Sequence, residues 1–322
     1  MAWETGTAAN ERELLQKLDA FLTSNAELVA SGENWTQIYA DTIAATSTTV
    51  ERLAYAWVAP GSAGADQIYI GARSNNSIGS DIYNIYFAGG TYFNPEAFSD
   101  AENIWSGMVN GSPRVGCCCE NLTFKYWFIA NGRRFIVLTR LTNAIFSSAY
   151  CGFMLPTVTP LEYPYPLVIA GSTDNTLSRY SLTTDYNSSI VDPRTQNCWL
   201  MYPDQGWRDF YGAAATSYTT DGQSRYLTPR GAPRYSYASN AGEVLTALTA
   251  SPGDNYPLWS VEFRALEVAG TNYFGALDGV CWLPGVGVAA EDIINTADDQ
   301  QFVISRNAFR TSTLDYFAVE LA

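Results

Sequence analysis

The chain has 322 residues, 47% hydrophobic and 14% aromatic but only 16% charged, with a formal net charge of −14 and no histidine. Phosphate binding runs on Lys and Arg, so 32 acids against 18 bases set the average field against a direct nucleic-acid role. Without histidine there is no Ser-His-Asp triad, no Cys-His dyad and no His-bearing zinc site.

A chain of this length holds one large β-domain or two ordinary ones, and buries a sizeable core. Its charged share lies below the usual ~25%. Much of its surface must therefore be Ser, Thr, Asn, Gln, Tyr and Gly, as in secreted β-proteins and in subunits that bury themselves against neighbours. The 21 Tyr and 9 Trp are residue types that interfaces favour. Cys117, Cys118, Cys119, Cys151, Cys198 and Cys281 have no C-x-x-C spacing, which argues against a zinc site. They read as free thiols acting as small buried hydrophobes. The opening Met-Ala-Trp-Glu-Thr-Gly lacks the basic and apolar regions of a secretion signal. Folding in a reducing cytoplasm is expected. No apolar run approaches the ~20 residues that span a bilayer, so no membrane insertion is expected.

Residues 10 to 31 carry the one helical pattern. Asn10 followed by Glu13 fits an N-cap with its capping-box partner. Leu14, Leu15, Leu18, Phe21 and Leu22 then line one face. Ser24-Asn25 can end this helix and cap a short second turn, and Gly32 is a stop signal. Such a helix either packs on its own β-body or docks on a neighbouring subunit. On this reading residues 1–32 form a helical arm and 33–322 a β-rich body.

From Trp35 the period becomes two. Strands are expected at 35–40, 52–58, 67–72 and 81–87, with a loop at 60–64. A long connection follows at 94–120, and connections of that length are usually functional or interfacial. The stretch 125–172 reads as the heart of a sheet. Asn131-Gly132 between apolar runs signals a hairpin with a type I′ turn, and 147–155 supplies a third strand. Pro156, Pro160, Pro164 and Pro166 then lay down a stiff extended segment off the hydrogen-bond ladder, with Tyr163 and Tyr165 facing opposite sides. Residues 172–196 and 203–242 turn polar, which predicts surface loops and leaves a subdivision near residue 175 open. Strands resume at 258–268, 273–282, 301–305 and 315–321. The fold expected is mainly β, with sandwich or jelly-roll-like sheets and a short N-terminal helix.

Chemistry-bearing motifs are sparse. Glu291-Asp292 and Asp298-Asp299 are the acid pairs a glycosidase would need across a cleft, but adjacency alone is expected among so many acids. Asp298-Asp299 near Asn295 lacks the spacing of a calcium loop. Gly285-Val286-Gly287 lacks the third glycine and following helix of a dinucleotide fingerprint, and reads as a turn. Arg133 and Arg134 at the hairpin tip either pair with acids of another subunit or form a solvated end. Tyr83, Tyr86, Tyr92 and Phe93 are either a sugar platform or core packing. No catalytic residue, metal or cofactor is expected. The candidate contact residues are Leu14, Leu18, Phe21, Arg133, Arg134, Tyr163 and Tyr165.

Three blocks carry a family likeness. The opening MAWETGTAANERELLQKLDAFLT resembles the start of structural proteins of tailed bacteriophages. Residues 130–137 (ANGRRFIV), 150–156 (YCGFMLP) and 163–167 (YPYPL) resemble that family's central block. Residues 278–287 (DGVCWLPGVG), with 309–311 (FRT) and 315–319 (DYFAV), resemble its C-terminal segment. The resemblance implies a virion subunit of tail or baseplate, assembled in the host cytoplasm. It would work through contacts with copies of itself and with other virion proteins, without enzymatic activity. A receptor- or glycan-binding tail protein and a head-decoration protein are the alternatives, and a carboxylate depolymerase is a more distant one.

Overall fold

A computed structural model of the chain describes residues 1–61, 66–98, 100–142, 145–173, 189–193, 196–210, 224–228, 258–267, 270–306 and 315–321. The chain opens with β1 (Ala2–Ala8), α1 (Glu11–Ser24) and α2 (Ala26–Ser31). There follow β2 (Thr36–Ile43), β3 (Arg52–Val58), β4 (Tyr69–Ser77), β5 (Ile82–Gly90), β6 (Tyr92–Phe93), β7 (Met108–Val109) and β8 (Val115–Cys119). The middle supplies β9 (Phe124–Asn131), β10 (Arg134–Arg140), β11 (Phe146–Phe153), β12 (Leu155–Pro156), β13 (Leu167–Gly171), β14 (Cys198–Met201) and β15 (Trp207–Asp209). Last come β16 (Ser224–Thr228), β17 (Trp259–Glu267), β18 (Gly270–Trp282), β19 (Ile293–Asn295), β20 (Gln301–Arg306) and β21 (Tyr316–Glu320).

The fold is mainly β: the described residues form three larger antiparallel sheets stacked face to face and a separate two-stranded sheet, β6-β7. The central sheet runs β1-β9-β10-β11-β13-β14-β15. One flank is the sheet β2-β3-β4-β5-β8, and the other is β16-β17-β18-β21-β20-β19 with β12 added on β18. Alternation along the central strands shows why they read as unbroken apolar runs. Tyr126, Phe128, Phe135, Val137 and Ile169 enter the core shared with the first flank and α1. Their neighbours Trp127, Ile129, Ile136, Leu138 and Val168 enter the core shared with the second. A strand buried on both faces has no polar side to alternate with. The central sheet also continues past residue 175, since β13 pairs β14 through Val168–Leu200 and Ile169–Trp199.

Three expectations need correction. Residues 1–32 are not wholly helical: β1 pairs along its whole length with β9, from Ala2–Ala130 to Ala8–Phe124. The central hairpin is present, but Asn131 pairs with Arg134, so its two-residue loop is Gly132-Arg133. Neither loop residue takes positive φ, so the turn is not type I′. Asn131 instead caps it, Oδ1 accepting from the N–H groups of Arg133 and Arg134 at 2.9 and 3.0 Å. Gly132 serves close approach, because the Gly61 N–H donates to its carbonyl at 2.9 Å. Finally, the proline segment is not wholly off the ladder. Leu155 and Pro156 pair with Ala276 and Gly275 of β18, so the strap ties the central sheet to its flank.

The helices form for the reasons their sequence suggests. Asn10 Oδ1 accepts from the N–H groups of Arg12 and Glu13 at 3.1 and 2.9 Å, and Glu13 reaches back to the Ala9 N–H at 2.7 Å. Asn25 ends α1 and caps α2, and Gly32 (φ 69) closes it in the left-handed conformation that glycine adopts without strain.

Candidate interaction surface

The structure withdraws most of the predicted contact residues from any partner. Leu14, Leu18 and Phe21 are 0–2% exposed, packed against the central sheet and its first flank. Phe21 meets Phe128 at 5.7 Å between ring centroids. The apolar face of α1 is therefore spent on its own chain, and residues 1–32 are part of the body rather than a docking arm.

Arg134 is 0% exposed along its side chain, although it stands at a hairpin tip. Its Nε donates to Asp278 Oδ2 at 3.2 Å, beside an Asn131 Nδ2 bond to the same oxygen at 3.0 Å. This pair joins central sheet to flank, so Arg134 is not an intersubunit cation. Arg133 is half-buried. Tyr163 and Tyr165 do face opposite sides. Tyr163 is buried in the second core with its hydroxyl donating to the Met201 carbonyl. Tyr165 is half-buried against the first core, edge-on to Phe153 at 6.5 Å.

The long connection 94–120 is also folded onto its own sheet. It contains a 3-10 stretch at Ala101–Gly107, β7, which pairs with β6 just before the connection, and β8, which holds the cysteine run. Buried Arg52 and Arg73 both bind the Glu102 carboxylate, Arg73 at 2.8 Å. Arg73 and Arg114 also flank the Trp105 ring at 5.7 and 5.9 Å. Paired, charge-assisted bonds of this kind hold a segment down.

The acid pairs have structural roles. Glu291 binds Arg140 and, at 2.9 Å, Lys125. Asp292 accepts the Ala289 N–H at 2.7 Å, and Asp299 sits in a turn at φ 61. Among the described residues no cluster of three or more His, Cys, Asp or Glu is placed to hold a metal ion. All six cysteines are free, five of them fully buried. Burial pushes the Cys117 thiol up to about 11, against a smaller lowering by its hydrogen bonds with Ser147 and Thr139. Of the aromatic set at 83–93, Tyr83, Tyr86 and Phe93 are core residues, and Tyr92 alone is exposed.

What the structure does present is the tip of the proline strap. Leu155, Val158 and Leu161 are 45%, 43% and 94% exposed, next to Tyr273 at 43%. The tip is held rigidly. The Thr157 N–H donates to the Phe274 carbonyl at 3.1 Å, and Thr159 Oγ1 donates to Glu162 Oε2 at 2.9 Å. Sequence reasoning found the strap but not its apolar crest. The signal was there, in aliphatic residues at 155, 158 and 161 interleaved with Pro156 and Pro160. No helix among the described residues is long and apolar enough to cross a membrane. A scan against protein-family models finds no match, and no curated protein matches the chain.

Proposed function

We propose that this chain is a structural subunit of a tailed-phage virion, placed in the tail or baseplate, that works through contacts with copies of itself and with neighbouring virion proteins. The observation that carries this reading is the strap crest. A leucine 94% exposed on a loop fixed by prolines and by hydrogen bonds is an anchor without a pocket. Burying each such side chain contributes about 1.5–3 kcal/mol, and a pre-stiffened loop gives up little entropy on docking. The sequence likeness to virion proteins and the low surface charge support the same reading.

The test is the assembly state. Light scattering behind a sizing column should show the wild type as an oligomer, and Leu161→Asp with Val158→Ser should shift it to a smaller species at an unchanged melting temperature. A wild type that stays monomeric at high concentration, or an oligomer indifferent to both substitutions, removes the basis for self-assembly. Gradient-purified particles should contain the chain, and electron cryo-microscopy should place it in tail or baseplate. Absence from particles overturns the virion assignment, and a position on the head would make it a decoration protein.

A further inference from the structure

We propose that the surface where the β6–β7 hairpin meets the β14–β15 turn binds a neutral oligosaccharide. Two turns from different sheets are locked together there. Trp207 Nε1 donates to the Asn110 carbonyl at 2.8 Å, and Asn110 Nδ2 donates to Gln205 Oε1 at 2.6 Å and to Thr91 Oγ1 at 3.3 Å. Asn110 and Gln205 hold these positions at φ 50 and 63, a conformation uncommon for residues other than glycine.

Two aromatic side chains stand at this junction, Trp207 through its bond to Asn110 and Tyr92 next to Thr91 in the chain. Tyr92 is 52% exposed and meets Tyr69 edge-on at 5.5 Å. Burial raises the Tyr69 phenol, and the phenols of Tyr92 and then Tyr165 add to the rise. Trp207 is half-buried against the core between the central sheet and its first flank. Its inner edge is fixed by packing while its outer part stays in water.

The polar groups complete the match. Asn110 uses only its nitrogen and Gln205 only its oxygen. Among the described residues nothing hydrogen-bonds to Asn110 Oδ1 or Gln205 Nε2. One acceptor and one donor thus face solvent beside fixed aromatic rings. A sugar ring offers the complement, C–H groups for an aromatic surface and adjacent hydroxyls that both donate and accept. The class is neutral because Thr91, Tyr92, Asn110, Gln205 and Trp207 carry no charge, and Arg208 in the same turn is engaged by Asp204 at 3.0 Å. The site uses none of the exposed apolar side chains of the strap, so it stands or falls separately from the assembly contact.

The full chain is titrated with maltohexaose, cellohexaose and chitohexaose in turn, read by tryptophan fluorescence and by saturation transfer to sugar protons. Saturable binding of at least one is expected. Tyr92→Ala should weaken it about tenfold, as loss of one aromatic contact implies. Gln205→Glu keeps the oxygen that Asn110 needs while replacing the free donor, and should weaken binding several-fold. Both positions are exposed, so the melting temperature serves as the folding control, and Leu161→Asp should bind like wild type. A natively folded chain that binds none of the three sugars overturns the proposal. So does binding indifferent to Tyr92→Ala, and so does tighter binding of an acidic hexagalacturonate than of every neutral probe.

Discussion

Arg134 carries its charge where solvent does not reach, and Asp278 makes that tolerable. The guanidinium has one carboxylate at 3.2 Å and the Met1 sulfur at 3.2 Å. Removing one partner of a buried pair leaves an uncompensated charge, whereas replacing both with apolar groups is often nearly neutral. Asp278→Ala is therefore expected to lose about 3–5 kcal/mol in guanidinium unfolding, and Arg134→Met with Asp278→Leu to recover most of it. Glu11 is the second costly charge. It is 1% exposed at the first turn of α1, with Asn76 Nδ2 donating to it at 2.9 Å. Burial raises its carboxyl above 4.5, outweighing that hydrogen bond and the nearby Arg12. A carboxyl raised in the folded state favours folding at low pH, and that advantage is lost as pH rises through its folded value. Glu11→Gln keeps an oxygen for Asn76 and should raise the unfolding midpoint at pH 7, a gain that vanishes on titration toward pH 4. An equal gain at both pH values would mean that charge is not what Glu11 contributes.

At the scale of elements, α1 and β1 belong to the core. Leu14, Leu15, Leu18 and Leu22 are all 0% exposed, and leucine-to-alanine changes at such sites lose about 2–5 kcal/mol. Leu18→Ala should fall in that range by denaturant titration, and deletion of residues 1–32 should abolish folding rather than only assembly. A truncated chain with a native cooperative transition would show the arm to be separable after all. The helix was legible because Asn10, Glu13 and the leucine spacing agree. The strand before it was not, because only Ala2 and Ala8 of AWETGTA are buried. Gly6 leaves room for a large neighbour, as a Cβ there would lie 2.7 Å from the Tyr126 hydroxyl. The partner supplies the bulk that a strand pattern would show. The central hairpin was visible for Asn131-Gly132, but its turn type was not, since Asn131 serves through its side chain rather than through positive φ. The strap crest was legible only in part, since its aliphatic residues stand out between the prolines but their exposure does not. Nothing in Leu161 itself says that no other element covers it.

For the whole molecule, the consequence of stacking three sheets is that its thiols report on three different depths. Cys117, Cys118, Cys119 and Cys151 belong to the core between the first flank and the central sheet, and Cys198 lies between the central sheet and the second flank. Cys281 sits against the small apolar cluster that includes Leu283, Phe302, Ile304 and Ala318, and is only partly buried. The thiolate is the reacting form. Burial and then Glu320 push Cys281 up to about 11, so its labelling should be slow at pH 7 and accelerate with pH. The other five should react only through opening of a sheet interface, at a rate that follows the free energy of that opening. Labelling with a thiol-specific reagent, resolved by peptide mass spectrometry in a denaturant series below the transition, should thus show Cys281 first. The remaining thiols should appear together if the central sheet couples both cores. Reaction of Cys117–Cys119 well before Cys198 would instead mean that the first flank opens by itself. The shared sheet would then not be what makes the molecule cooperative.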